Sequence, residues 1–131
     1  MLKIDWEALV DAAAEVRDHA YTPYFNFQVG AAALVDDGRI VVGCNVANAS
    51  FGLGLCAECG VVSALHASGG GRLIACVVVD THGRPLVPCG RCRQLLFEHG
   101  GPDLLVRLPE GTFTMDDLMP HAFNAQMFEE R

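Results

Sequence analysis

Leu73-Ile74-Ala75-Cys76-Val77-Val78-Val79-Asp80 is an almost unbroken apolar run, rich in β-branched residues. A strand with one wet face alternates polar and apolar side chains. This run does not alternate, so it reads as a central strand covered on both faces. Cover on both faces calls for helices, and the flanking sequence supplies them. Upstream, residues 57–68 are small and apolar and stop at Gly69-Gly70-Gly71, which predicts a buried helix. Downstream, residues 81–87 form a turn-rich connection. Pro88 then precedes a second short helix over about 90–99, halted by Gly100-Gly101-Pro102.

Further out, residues 4–20 show helical periodicity. Trp6, Leu9, Val10, Ala13 and Val16 share one face, and Asp5, Glu7, Asp11, Glu15 and Asp18 occupy the others. The region of Pro23 ends this helix. Phe27, Val29, Ala31 and Ala33 alternate and predict a strand over 27–36. Asp36-Asp37-Gly38-Arg39 is a hairpin turn, because Asp-Gly supplies the positive-φ position. A second strand follows over 39–45. Residues 45–55, rich in Asn, Gly and Ser, form a loop that delivers the chain to Cys56. Residues 104–108 predict a short strand, and the chain from about Asp116 is helical and then loose. Strands interleaved with helices in the order α-β-β-α-β-α-β imply a layered α/β domain with a mixed sheet.

A length of 131 residues fits one domain, spanning 1–131. Apolar residues make up 51% and charged residues 19%, an apolar excess for a small lone monomer. An oligomer that hides part of its surface is expected. Nine Lys+Arg stand against sixteen Asp+Glu, for a net charge of -7, and Lys3 is the single lysine. That balance argues against a grip on nucleic acid or on anionic membranes. Asp5, Glu7 and Asp11 interrupt any signal-peptide pattern, and no apolar run reaches the ~18 residues of a membrane span. The expected compartment is the cytoplasm, where disulfides are rare. Cys44, Cys56, Cys59, Cys76, Cys89 and Cys92 are then thiols, metal ligands or core residues.

The chemistry concentrates in Cys56-Ala57-Glu58-Cys59 and Pro88-Cys89-Gly90-Arg91-Cys92-Arg93-Gln94. Both segments open a predicted helix. Free amides and the positive dipole end favour thiolates there, and zinc needs thiolates. Arg91 and Arg93 stand close enough in sequence to balance charge. Two zinc arrangements satisfy the spacing. In one, Cys56, Cys59, Cys89 and Cys92 close a structural four-sulfur site in a non-catalytic domain. In the other, Cys56, Cys89 and Cys92 leave a fourth position to water, whose pKa the metal lowers, and Glu58 shuttles protons. The apolar content of the chain, and the place of Cys59 one turn into an apolar helix, favour the open site.

Cys-x-Glu followed by Pro-Cys-x-x-Cys is the pattern of zinc nucleobase deaminases. Tyr24-Phe25-Asn26-Phe27-Gln28-Val29-Gly30-Ala31-Ala32, Gly43-Cys44-Asn45-Val46-Ala47-Asn48-Ala49 and residues 88–94 resemble the small homotetrameric cytidine deaminases of nucleoside salvage. The resemblance runs in register from about residue 6 to Phe123. It is nearest to the actinobacterial members, in Cys59 and Gly69-Gly70-Gly71-Arg72-Leu73. It implies a three-layer α-β-α fold on a mixed five-stranded sheet, and conversion of cytidine or deoxycytidine to uridine or deoxyuridine plus ammonia. It assigns one zinc per subunit to Cys56, Cys89 and Cys92, and proton transfer to Glu58. By the same resemblance the Ala57 backbone holds the base, Phe27 stacks on the pyrimidine, Asn45 bonds the ribose, and Phe123 closes a neighbouring subunit's site.

The chain departs from that family at one sugar position. The family pattern Asn-x-Glu-Asn reads Asn45-Val46-Ala47-Asn48 here, so the carboxylate expected on a ribose hydroxyl is replaced by a methyl group. Phe51 stands where relatives often carry Tyr. Weakened ribose binding, or another aminopyrimidine nucleoside as substrate, is the corresponding expectation. Cys44 and Cys76 fall in strand patterns as core thiols. His66 and His99 read as cations at helix C-termini.

Overall fold

A computed structural model describes residues 3–129. Its sheet carries five strands in the order β2-β1-β3-β4-β5. They are β1 (Gly30–Val35), β2 (Ile40–Cys44), β3 (Leu73–Val79), β4 (Leu105–Leu108) and β5 (Gly111–Thr114). β1 runs antiparallel to β2 and β3, pairing Ala32 with Val42 and Val77. β3 runs parallel to β4, with Cys76 opposite Val106, and β4 turns back antiparallel into β5. The sheet is therefore mixed, as expected.

The decisive run forms β3. From Ala75 onward its side chains part alternately to two cores, after an irregularity where Leu73 pairs with Val35. Leu73, Cys76 and Val78 join Ala31, Ala33, Val35 and Val106 beneath α2 (Ala57–Ala67) and α3 (Gly90–Gly100), which contribute Val61, Leu65 and Leu96. Ala75, Val77 and Val79 join Ala32 and Leu34 beneath Leu9 and Ala13 of α1 (Trp6–Arg17). Helices thus cover both faces, which gives three layers and explains why neither face of β3 carries polar residues. Asp5 caps α1 by accepting a hydrogen bond from the backbone N–H of Ala8 at 3.0 Å.

Three local expectations need correction. β1 begins at Gly30, three residues later than the alternation suggested. The Asn45 side chain holds the preceding segment beside a single backbone bond from Asn45 N to Val29 O at 3.2 Å: Val29 N donates to its Oδ1 at 2.8 Å, and its Nδ2 donates to Phe27 O at 2.9 Å. β5 lies in a stretch read as connection, because four residues with mixed burial leave no periodic signal. The terminal helix α4 has only four residues, Met115–Leu118, fixed by a reciprocal cap between Thr114 and Asp117.

Two glycines seat α2 on the sheet. A Cβ on Gly43 would lie 2.3 Å from Ala57 O, and one on Gly60 would lie 2.9 Å from the Cα of Gly43. Only backbone fits between β2 and the first turns of α2. This close approach places the start of α2 beside the end of β2. Among the described residues, no helix is long and apolar enough to cross a membrane.

Candidate active site

Cys56 and Cys89 are the residues immediately before the first helical residues of α2 and α3, and both are in extended conformation. Cys92 lies one turn into α3 and is buried. The two helix starts converge, so the sulfurs of Cys56, Cys89 and Cys92 all lie within 4.8 Å of one another. One Zn²⁺, bonded to each sulfur at about 2.3 Å, fits a cluster of that size. Cys59 stands outside it: Arg91 Nη1 donates to its Sγ at 3.5 Å. The geometry therefore groups three sulfurs, and the donor set fits a metal with one open position.

The electrostatics agree with that fit. Burial pushes the Cys56 thiol up, against a hydrogen bond from Cys92. Burial, followed by the charge of Glu58, pushes the Cys92 thiol up as well. Burial opposes ionisation of Cys89 too, but hydrogen bonds from the backbone and thiol of Cys92 hold it below the ordinary thiol value. Three thiols this close ionise together only around a cation. Glu58 is the one buried charged side chain among the described residues, at 4% exposure. Burial raises its pKa, opposed by hydrogen bonds from its own backbone and from Cys92. A carboxyl of that kind exchanges protons nearer neutrality than a free one.

A cavity of about 510 Å³ opens beside the cluster. Of the residues singled out in the sequence, Phe27, Asn45, Ala47, Cys56, Ala57, Glu58 and Cys89 line it. Glu58 and Ala57 are buried, whereas Phe51 at 76% and Phe27 at 45% stand exposed. Phe123 does not line this cavity. It is 58% exposed, packs edge-on against Phe128 at 5.8 Å, and its carbonyl accepts from Gln94 Nε2 at 2.8 Å. Phe25, Leu55 and Val87 line the cavity as well, and the sequence reading passed over them. The only signal for them was proximity to Phe27, Cys56 and Cys89.

Other assignments change. Arg93 does not balance the thiols: its guanidinium donates to Pro88 O and Leu118 O, both at 3.0 Å, tying α3 to its flanking segments. Cys76 is buried, but Cys44 and Cys59 are only half-buried. His66 Nε2 and His99 Nδ1 lie 3.2 Å apart at the far ends of α2 and α3. Burial, with the charge of His66 second, depresses the His99 pKa, which opposes a helix-end charge on His99.

Comparison with known proteins places this geometry. A family model described as the cytidine and deoxycytidylate deaminase zinc-binding region matches residues 4–107. The chain is 58% identical over 123 residues to a cytidine deaminase of Mycobacterium tuberculosis, covering 94% of this chain and 92% of that protein. The crystal structure of a cytidine deaminase from the same organism superposes with a TM-score of 0.90, covering 92% of this chain and 98% of that one. The Burkholderia pseudomallei cytidine deaminase structure, at 42% identity, gives 0.82 over 92% of this chain and 100% of that one. The matched segment runs through both cysteine-bearing helix starts, and the likeness extends from sequence to backbone, so the chain belongs to the cytidine deaminase family.

Proposed function

We propose that the chain hydrolyses the exocyclic amine of cytidine and 2′-deoxycytidine, giving uridine or 2′-deoxyuridine and ammonia in pyrimidine salvage. The observation that carries this is the convergence of three sulfurs with one buried carboxyl at the closed end of a nucleoside-sized cavity. Cys56, Cys89 and Cys92 would hold one zinc per subunit. Bound zinc supplies Lewis-acid activation of a water at neutral pH. The chain's own residues do the rest. Glu58 takes one proton from the attacking water and delivers it to the pyrimidine N3, then takes the second from the new C4 hydroxyl and delivers it to the departing amine. The C4–O bond forms first and the C4–N bond breaks only once the amine is protonated, so water and nucleoside account for every atom of product. Burial suits Glu58 to this work, since it must be base and acid in one cycle. The Ala57 backbone borders the closed end and would hold the base, and Phe27 offers a ring face to the pyrimidine. Asn45 and Ala47 border the sugar side.

The chain reads as one deaminase domain, since every strand shares one sheet. Four copies would assemble in the cytoplasm, with Phe123 of one copy entering a neighbour's cavity. Its exposure, and its place away from its own cavity, support that role. The Lys-poor, acidic surface supports a small nucleoside over a nucleic acid. Ala47 favours a second reading, in which the natural substrate is another aminopyrimidine nucleoside.

The test is the ultraviolet change on mixing zinc-loaded protein with cytidine. Loss of the cytidine band with release of ammonia is expected, and an unchanged spectrum overturns the proposal. Cys59→Ala separates an open from a closed site: retained metal and turnover are expected, and loss of metal would restore the four-sulfur arrangement.

A further inference from the structure

α2 and α3 run side by side in the same direction, since their starts meet at the sulfurs and their last turns meet at two imidazoles. The register is the same at both ends. His66 stands ten residues beyond Cys56, and His99 ten beyond Cys89. At about 1.5 Å of rise per residue, the imidazoles lie about 15 Å from the sulfurs, too far to share an ion.

His66 Nε2 and His99 Nδ1 are 3.2 Å apart in an exposed contact, with the rings edge to face and their centroids 4.9 Å apart. Two nitrogens bonded to one ion at about 2.1 Å, with about 90–110° between the bonds, lie about 3.0–3.4 Å from each other. The pair already holds that spacing. Without an ion, one ring donates its proton to the other. With an ion, that proton moves to the donor ring's second nitrogen, and both facing nitrogens present lone pairs. Burial, and then the charge of His66, keeps the His99 pKa below the ordinary value, so a neutral imidazole is ready to bind. The charge of Glu98 favours a cation beside it. Among the described residues, three or more such ligands meet only at the cysteine cluster, so water completes the shell here.

We infer that His66 and His99 form a second metal site, for a divalent transition ion, joining the far ends of the two helices whose starts carry the sulfurs. Imidazole nitrogens select Ni²⁺, Cu²⁺ or Zn²⁺ over Mg²⁺ and Ca²⁺, which take oxygen ligands. The site stands apart from the cavity and does not depend on the deaminase reading.

The experiment titrates Ni²⁺ into the zinc-loaded wild-type protein by calorimetry, followed by metal analysis. One Ni²⁺ per chain is expected, with the zinc retained and no competition from Mg²⁺. His66→Gln and His99→Gln should each weaken Ni²⁺ binding by about tenfold or more, because either leaves a single nitrogen, while bound zinc stays at the wild-type level. The converse variant, His19→Gln with His82→Gln and His121→Gln, keeps the pair as its only histidines and should bind Ni²⁺ as the wild type does. The inference is overturned if the wild type takes up no Ni²⁺, if Ni²⁺ displaces zinc one for one, if either single variant binds undiminished, or if the triple variant loses binding.

Discussion

The two sides of the cavity are built on opposite plans. At the closed end, two helix starts crowd three sulfurs and a carboxyl, groups that remain there only with mutual hydrogen bonds and a cation. On the wall around Asn45, the polar groups are backbone amides and one carboxamide, engaged with one another. The first side keeps reactivity by crowding ionisable groups together in a buried place. The second keeps shape by pairing its polar groups with one another. The two sides can therefore change separately: on the proposed reading, position 47 changes recognition and leaves the sulfurs and Glu58 as they are.

The largest effect should come from disabling the reactive side alone. Glu58→Gln preserves size and hydrogen-bonding shape but removes the proton carrier. Turnover should fall by roughly 10²–10⁴-fold while bound zinc, measured by metal analysis, stays at the wild-type level. Equal turnover would remove Glu58 from the mechanism.

Next comes the seam between the two sides. Gly43→Ala forces a methyl group against Ala57 O, where an ideal Cβ would sit 2.3 Å away. Denaturant unfolding should show a loss of about 3 kcal/mol, the upper part of the usual overpacking range. Because the start of α2 must shift, metal affinity should fall with it.

A smaller loss is expected from the wall. Asn45→Ala leaves Val29 N and Phe27 O without their partner, so about 1–3 kcal/mol of stability should disappear. If Asn45 acts only on the sugar, stability will be unchanged and KM alone will rise.

The smallest effect lies at the far ends of the same helices. Burial and His66 hold His99 below the ordinary imidazole value of 6.5. The unfolded chain then takes up a proton that the folded chain resists. Stability is full above about pH 6.5 and declines as pH falls through the folded value. His99→Gln should flatten that part of the pH–stability curve, and an identical curve would remove His99 from the effect.

Much of this was written locally in the chain. The apolar run at Leu73–Val79, the glycine stops and the Asp-Gly turn gave the layers and most elements, because each depends on short-range periodicity or a single φ preference. The two cysteine-bearing helix starts were readable because capping positions and cysteine spacing are local as well. β5 was not, since four residues on a sheet edge carry no period. Arg93 was misjudged because adjacency in sequence says nothing about which way a long side chain leaves a helix.

The sequence by itself determined that strands and helices alternate, that cysteines and a glutamate open two helices, and that position 47 lacks a carboxylate. Only the tertiary structure decided that three sulfurs meet while Cys59 turns away to Arg91, and that Asn45 is a brace for the wall. The physical reason is range. Propensity and capping act within a few residues. Which sulfur faces which, and whether a polar group has a partner to spare, depends on packing between segments such as Gly43 against Ala57, which no local pattern encodes.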